Sequence, residues 1–246
     1  MSEEVVTRRQ ALISIGKAAA VVAAATVAGL GGFYYLQSRP SPSRETQPAT
    51  TSSSQSSNIP LQSSTGVEPG FTPLFDGATL DGWQEAGPGA FKVVDGMLQS
   101  SGGMGLLWYT RKQFRDFVLK VDWKVLHITD NSGIFLRFPG PGDDPWVAVN
   151  GGYEVQIDDV GAPDGNPLYK TGAIYNFQAP SKLASNPVGE WNSYEIHAMG
   201  QDYRVVLNGD EVTGFVGSRS TVGYIGLQNH DGTSTVTFRN IRIREL

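Results

Sequence analysis

Apolar residues recur at every second position through most of the chain after Gly70, and this alternation constrains the fold more than any other feature. The pattern is clear in segments 117–125, 134–138 and 153–157, and Gly, Asn or Asp residues separate such segments at short intervals. Alternation with period two is typical of strands that bury one face, and frequent turn residues are typical of antiparallel sheets. The sequence therefore predicts an all-β fold, an antiparallel β-sandwich with few helices.

Local signals refine this prediction at three places. Asp95-Gly96 and Asn208-Gly209 each lie between two apolar stretches, and both dipeptides favour the two-residue turns of β-hairpins. In the last apolar stretch the alternation slips by one position between Phe238 and Ile241. This slip predicts a β-bulge near Arg239-Asn240.

Composition narrows the class of protein. The chain has 246 residues and no Cys, so disulfides, thiolate metal sites and a lipid-modified Cys anchor are excluded. After Gly70 there are 14 basic and 20 acidic residues, a net charge of −6 without basic clusters, so nucleic acid is not an expected partner. Because the first third of the chain has no pattern that would build a core, one folded domain over residues 68–246 is expected.

Residues 1–37 predict a signal peptide or a membrane-anchor helix. Arg8, Arg9 and Lys17 precede an uncharged stretch, residues 18–36, that is rich in Ala and Val. About 20 apolar residues span a bilayer, and cations stay on the cytoplasmic side, so the rest of the chain is expected outside the cytoplasm. The Arg pair resembles a twin-arginine export signal, although Ala11 stands where such signals carry a bulky hydrophobe. Export by the general route and cleavage of the segment are the alternatives.

Residues 38–67 predict a disordered linker. Between Ser38 and Thr65, 18 of 28 residues are Ser, Thr or Pro, and the apolar residues are too few to offset the entropy of ordering. The whole pattern predicts an extracytoplasmic domain that is either secreted or held at a membrane on a stalk.

A polar face is expected on the strand that contains Glu154, Gln156 and Asp158. Same-side residues of a strand lie about 6.8 Å apart, so these three side chains line one surface while Tyr153, Val155 and Ile157 fill the core. A neighbouring strand is expected to present Arg137 to the same surface. This surface is either an ordinary solvated sheet face or a sugar site, and the mixture of acid, amide and guanidinium groups favours the sugar site.

Aromatic and histidine side chains supply further candidates. Sugars stack on aromatic rings, and Trp83, Trp108, Trp146 and Tyr175 lie in or near Gly-rich segments, although each ring also fits ordinary packing. Of the three histidines, His127 and His197 are expected inside strands as structural residues. His230 is expected in a loop after a strand, where functional groups concentrate, and it is the preferred catalytic histidine.

Acidic pairs leave a divalent cation such as Ca²⁺ as an alternative. Asp143-Asp144, Asp158-Asp159 and Asp164-x-Asn166 supply oxygen atoms, but their spacing matches no EF-hand loop. The sequence therefore predicts neither a defined metal site nor another cofactor.

Several phrases occur in order through the domain, and together they resemble the 3-keto-disaccharide hydrolase domain family. They are Phe71-Thr-Pro-Leu-Phe-Asp-Gly-Ala-Thr-Leu-Asp-Gly-Trp83, Asn131-Ser-Gly-Ile-Phe-Leu-Arg137, Gly152-Tyr-Glu-Val-Gln-Ile-Asp158, Thr171-Gly-Ala-Ile-Tyr175, Gly189-Glu-Trp-Asn-Ser-Tyr-Glu195, Gly226-Leu-Gln-Asn-His230 and Phe238-Arg-Asn-Ile-Arg-Ile243. The resemblance covers nearly all of residues 71–246. It implies a jelly-roll sandwich of the concanavalin A-like (lectin/glucanase) type and action on glycosides that carry a ketone at C3.

The resemblance to the family implies site positions at Arg137, Glu154, Gln156 and His230, and then at Asp158 and Lys170. A ketone at C3 acidifies the proton at C2, so a base forms an enolate, the C1 substituent is eliminated and water adds back. Glu154 or His230 is the expected base, and Arg137 or a bound cation the expected stabiliser of the oxyanion. The predicted substrate-binding residues are Gln156, Asp158, Lys170, Tyr175, Trp108 and Trp146.

Two other functions are consistent with the same residues. A retaining glucanase needs two carboxyl groups about 5 to 5.5 Å apart, whereas Glu154 and Asp158 on an extended strand lie about 13 Å apart, which disfavours this reading. A non-catalytic carbohydrate-binding or adhesion module on a cell-surface stalk is the stronger alternative, because the same fold and aromatic rings serve lectins.

Overall fold

The structure is a computed structural model, and it describes residues 68–246. The predicted signal or anchor segment and the predicted linker lie outside the described residues. Among residues 68–246, no helix is both long and apolar enough to cross a membrane.

The described chain folds into thirteen strands and one short α-helix. In chain order the strands are β1 (Thr72–Pro73), β2 (Trp83–Ala86), β3 (Ala90–Val94), β4 (Met97–Ser101), β5 (Gly105–Tyr109), β6 (Phe117–Val125), β7 (Ser132–Phe138), β8 (Tyr153–Ile157), β9 (Asn192–Met199), β10 (Asp202–Leu207), β11 (Asp210–Val216), β12 (Tyr224–Asn229) and β13 (Val236–Glu245). The helix α1 spans Trp146–Gly151, and a single 3₁₀ turn spans Pro167–Tyr169. The expectation of an all-β fold with few helices is confirmed.

The strands form two antiparallel sheets. The larger has eight strands in the order β11-β10-β9-β6-β13-β4-β3, with β1 paired to the far half of β13. The smaller has five strands in the order β2-β5-β12-β7-β8. Between the sheets lies a single large core, built from the inward residues of both, including Trp123, Tyr194 and Phe238 from the larger sheet and Val155 and Leu227 from the smaller. The antiparallel sandwich is therefore observed as expected.

Turns and one bulge lie where the sequence places them. Asp95-Gly96 joins β3 to β4 and Asn208-Gly209 joins β10 to β11, and all four residues have positive φ, as a type I′ turn requires. The pairing of β13 with β6 shifts register between Arg239 and Arg242, with Asn240 at φ 51°. The predicted bulge is confirmed.

A second hydrophobic cluster covers half of the outer face of the five-stranded sheet. Ala148 and Val149 of α1 pack there onto outward side chains of the sheet, among them Leu106, Trp108 and Phe135. Strand β7 is consequently apolar on both faces, because its inner face meets the main core and part of its outer face meets the helix.

The expectation for His127 is wrong. Strand β6 ends at Val125, and the carboxylate of Asp130 accepts hydrogen bonds from the backbone N–H groups of Leu126 and His127, each at 2.8 Å. This turn ends the strand and leaves the side chain of His127 71% exposed. His197 does lie inside a strand, β9, where it contacts Glu195 at 2.7 Å.

Candidate functional site

Glu154 and Gln156 lie on the outer face of the five-stranded sheet, beyond the part that α1 covers. Residues directly opposite in an antiparallel ladder share a face, and Glu154 pairs with Phe135 while Gln156 pairs with Gly133. On the other side of β7, Phe135 pairs with Gly226 of β12, so the same register places Gln228 beside Gly133. One polar surface therefore crosses β8, β7 and β12.

Gly133 creates the space that the carboxyl group of Glu154 occupies. A Cβ atom at position 133 would lie 2.2 Å from Oε1 of Glu154 and 2.7 Å from its Cγ. Side-chain atoms do not approach a Cβ this closely, so the carboxyl group folds across β7 directly against bare backbone. Glu154 is 6% exposed, although it lies on an outer sheet face.

A chain of amide and carboxylate contacts extends the surface past the ends of the strands. Asn131 directly precedes β7 and Asp158 directly follows β8, and Nδ2 of Asn131 donates to Oδ2 of Asp158 at 3.1 Å. Nε2 of Gln156 donates to Oδ1 of Asn131 at 3.3 Å. All three side chains are at least nine-tenths buried. Asn131 thus holds Gln156 and Asp158 in one network.

Asp158 also orders the loop that follows β8. Its Oδ1 accepts from the N–H groups of Val160 and Gly161, and its Oδ2 accepts from Ala162, all at 2.9 Å. Burial raises the pKa of Asp158 above its usual value, and these three hydrogen bonds only partly oppose the rise. Ser234 links this network to the loop of His230 and Asp231, because its Oγ accepts from the N–H of Asn131 at 3.0 Å and donates to Oδ2 of Asp231 at 3.2 Å.

His230 forms a pair with Asp231 immediately after β12. Nδ1 of His230 lies 2.8 Å from Oδ2 of Asp231. Burial acts to raise the pKa of Asp231, but hydrogen bonds from His230, Thr233 and Ser234 outweigh it and hold the pKa well below its usual range. An ionised carboxylate at this distance favours a proton on Nδ1, so Nε2 of the neutral ring keeps its lone pair. The arrangement orients His230 as a general base.

Two glutamine side chains on this surface have unsatisfied polar atoms. Oε1 of Gln156 and Oε1 of Gln228 are buried and accept no hydrogen bond within residues 68–246. Buried polar atoms in native proteins are nearly always satisfied, and those that are not call for a functional explanation. The two residues lie on either side of Gly133 in the ladder, next to the place that the Glu154 carboxyl group occupies.

The prediction that Arg137 shares this face is wrong. The pairing of β7 with β12 shifts register between Tyr224 and Ile225, and Arg137 is the extra residue, with φ at 54°. The bulge turns its side chain inward, where the guanidinium lies over the rings of Phe117 and Tyr203. It donates there to the carboxylate of Asp116 at 3.0 Å, and also to the Tyr203 hydroxyl and three carbonyl oxygens. Arg137 is fully buried and joins the two sheets.

Lys170 also points away from the polar surface. Its Nζ donates to the carbonyl oxygens of Asp159 at 3.0 Å and Val160 at 3.2 Å. The ammonium group thereby closes the loop after β8, which is the same loop that Asp158 organises from within.

The candidate aromatic residues divide into three groups. Trp83 belongs to the main core and donates from Nε1 to the carbonyl of Leu74 at 2.7 Å. Trp108 and Trp146 belong to the outer cluster beside the polar surface, and Nε1 of Trp108 is buried without an acceptor within the described chain. Tyr175 lies directly beside Glu154, because its N–H donates to the Glu154 carbonyl at 2.9 Å, and its ring stacks on Tyr169.

The acidic pairs do not converge as metal ligands. No group of three or more His, Cys, Asp or Glu residues in the described range is arranged to hold a metal ion. The carboxylates of Asp144 and Asp164 instead accept backbone N–H groups in local turns, that of Asp143 accepts the N–H of Gly87, and that of Asp159 accepts the Ser185 hydroxyl.

A separate groove of about 600 Å³ lies on the larger sheet, beside the bulge of β13. Most of its charged groups already have partners within the described residues. Asp76 accepts hydrogen bonds from Ala78 and Thr79, and Glu68 pairs with Lys120 and Arg242. The groove contains none of the residues of the polar surface, so size alone does not make it the functional site.

Comparison with known families identifies the domain. Residues 70–244 match the family described as the 3-keto-alpha-glucoside-1,2-lyase-like domain. The chain belongs to this family. The match spans the whole sandwich from before β1 to within β13, so both the polar surface and the bulge at Arg137 lie inside the family domain. Comparison with curated proteins gave no match.

Solved structures with the same fold include two from Parabacteroides distasonis ATCC 8503, both provisionally described as glycosyl hydrolases. One is 27% identical, with a TM-score of 0.62, and the alignment covers 72% of this chain and 94% of that chain. The other is 28% identical, with a TM-score of 0.60, and the alignment covers 72% of this chain and 99% of that one.

Four residues of the site were missed by the sequence reading. Asn131, Gly133 and Gln228 all lie within phrases that identify the family, but alternation gives no reason to choose them. Asp231 follows His230 directly, and a carboxylate next to a loop histidine is the signal that would have found it. The structure brings these residues together with Glu154, Gln156, Asp158 and His230.

Proposed function

We propose that this domain is an extracytoplasmic enzyme that cleaves glycosides carrying a ketone at C3. Membership of the 3-keto-alpha-glucoside-1,2-lyase-like family supports a carbohydrate substrate, and the two solved structures that it resembles carry the same class of description. The proposal includes the jelly-roll, concanavalin A-like form of the sandwich and export by the N-terminal segment.

Three steps make up the proposed reaction. Nε2 of His230 removes the proton from C2, and the electron pair of the C–H bond forms the C2–C3 double bond while negative charge moves to the C3 oxygen. Collapse of this enolate breaks the bond from C1 to the leaving oxygen, which takes a proton from Glu154. Water then adds across the C1–C2 double bond. Glu154 takes a proton from the water as its oxygen bonds to C1, and His230 returns the proton to C2.

The link between the His230–Asp231 pair and the buried polar network is the observation that carries the proposal: Oγ of Ser234 accepts from the N–H of Asn131 at 3.0 Å and donates to Oδ2 of Asp231 at 3.2 Å. Asp231 orients the histidine, Gly133 lets the carboxyl group lie flat against the sheet, and the Asn131 network holds Gln156 and Asp158 beside them. General acid–base catalysis needs one such group at each of two neighbouring atoms of the sugar ring, and we assign these roles to His230 and Glu154.

Turnover of disaccharides with and without a C3 ketone tests the proposal. The purified protein should release both sugars from the oxidised disaccharide and leave the plain one intact. His230→Ala and Glu154→Gln should each lower kcat by about 10² to 10⁴, the range for loss of a general acid or base. His127→Ala and Glu190→Gln are matched controls, because both side chains are exposed.

Unchanged turnover in both site variants would refute these roles. Binding of plain and oxidised disaccharides without turnover of either would favour the second candidate, a carbohydrate-binding or adhesion module on a stalk.

A further inference from the structure

Because Arg137 lies outside the polar surface, the enolate of the proposed reaction still needs a group that stabilises it. The negative charge develops on the C3 oxygen, and such a charge is stabilised by a hydrogen-bond donor that is already in place. The guanidinium of Arg137 cannot reach it, because that group is fully buried between the sheets with five oxygen acceptors. Another donor on the polar surface must serve.

Most amide donors on the surface already have acceptors. Nδ2 of Asn131 donates to Asp158, and Nε2 of Gln156 donates to Asn131. Gln228 is different: within residues 68–246 its side chain makes no hydrogen bond, although the residue is 3% exposed and its Oε1 is buried. The buried Oε1 atom costs free energy unless a ligand satisfies it, and Nε2 donates to no acceptor within residues 68–246, so the carboxamide is available to a ligand.

The position of Gln228 suits an enolate. It lies two residues before His230, near the end of β12, and His230 directly follows that strand. This short spacing allows the histidine to act on C2 while the amide contacts the oxygen on the adjacent C3. On its other side Gln228 faces Gly133, over which the carboxyl group of Glu154 lies.

We propose that Gln228 is a catalytic residue whose Nε2 donates a hydrogen bond to the C3 oxygen of a 3-keto sugar as the ketone becomes an enolate. No proton is transferred in this contact: the C2 proton goes to His230, and the N–H of Gln228 stabilises the charge that is left. The inference rests on the proposed function and adds the group that recognises the ketone. A sugar with a hydroxyl at C3 forms no such charge, so the amide favours the oxidised substrate in the transition state.

Two substrates separate enolate formation from the rest of the reaction. Release of nitrophenol from a p-nitrophenyl 3-keto-glucoside measures complete turnover. Exchange of the C2 proton of 3-keto-1,5-anhydroglucitol with deuterated solvent, followed by NMR, measures enolate formation alone, because this sugar has no leaving group at C1. Gln228→Leu removes the amide at similar size, and Gln228→Glu keeps the shape but replaces the N–H donor with a carboxylate. Gln178→Leu is the matched control, since Gln178 is exposed.

Both site variants should lose about 10² to 10³ in kcat and the same factor in the exchange rate, as expected for one lost oxyanion donor, with little change in KM. Wild-type rates of release and exchange in Gln228→Leu would overturn the inference alone. A rise in KM with unchanged exchange would also overturn it, because it would show ground-state binding. If the wild-type protein neither releases nitrophenol nor exchanges the proton, the proposed function fails, and the inference fails with it.

Discussion

Substitution of Gly133 by Ala tests whether the position of the Glu154 carboxyl group matters for turnover. The backbone of Gly133 is not in the left-handed region, so Ala is compatible with it. The new Cβ would lie 2.2 Å from Oε1, 2.7 Å from Cγ and 2.9 Å from Cδ of Glu154. Since ordinary contacts begin at 3.4 Å, the carboxyl group must move by about 1 Å, a displacement that costs about 10²-fold in rate when it misplaces a reacting group.

This loss corresponds to about 2.7 kcal/mol of activation free energy. The free energy of unfolding should fall by about 1 to 3 kcal/mol, the range for one added methyl group in a packed site, and the flexible end of Glu154 favours the lower value. The assay is kcat on a 3-keto-glycoside beside a urea unfolding curve. Gly214→Ala is the matched control, because a Cβ at Gly214 meets nothing within 4 Å.

A double-mutant cycle shows whether the effect acts through Glu154. Removing the Glu154 side chain as Ala also removes the clash, so Gly133→Ala should change neither stability nor residual activity in a Glu154→Ala background. Full activity in Gly133→Ala alone would refute the reasoning, and so would an equal loss in both backgrounds.

Three further predictions concern other parts of the domain. Asp231→Asn should lower the unfolding free energy at neutral pH by about 1 to 3 kcal/mol. In urea titrations this difference from wild type should begin to shrink as pH falls below about 4 and should disappear only as pH falls through the lowered pKa of the folded state, because a lowered carboxyl pKa stabilises fully only above the unfolded value. Arg137→Ala should destabilise the domain by about 2 to 4 kcal/mol because several buried carbonyl groups lose their donor, while kcat per folded molecule stays unchanged; a large kcat loss at native stability would contradict this. Tyr175→Ala should raise KM about tenfold with little change in kcat, since a stacked aromatic ring contributes about 1 kcal/mol to binding, and an unchanged KM would exclude contact with the sugar.

Much of the sandwich follows from sequence, because alternation reports directly which side of a strand is buried. The strand at Tyr153–Ile157 shows this best: it is regular, and the common face of Glu154 and Gln156 is as expected. Alternation fails where one strand meets two cores. Phe135 and Phe138 both pack under α1, so β7 is apolar on each side and its bulge has no polar-apolar slip to reveal it.

The site was predictable only in part, for a related physical reason. The sequence identifies Glu154, Gln156 and His230 as candidates because their side chains are themselves polar or ionisable. Gly133 matters because it has no side chain, and Gln228 matters because its Oε1 accepts no hydrogen bond within the described residues. Such properties depend on neighbours that are distant in sequence, and they become visible only when the strands are paired.

Because Arg137 is an extra residue in β7, the number of residues at this point of the strand matters more than their chemical type. Inserting one residue between Arg137 and Phe138 would turn Phe138 into the space between the sheets and remove the apolar surface beneath the helix, and deleting Arg137 would remove the guanidinium that joins the two sheets. Insertions and deletions that homologous chains tolerate in their loops should therefore be absent from this short stretch. A constant number of residues is expected here because β7 packs against a hydrophobic cluster on each of its two faces.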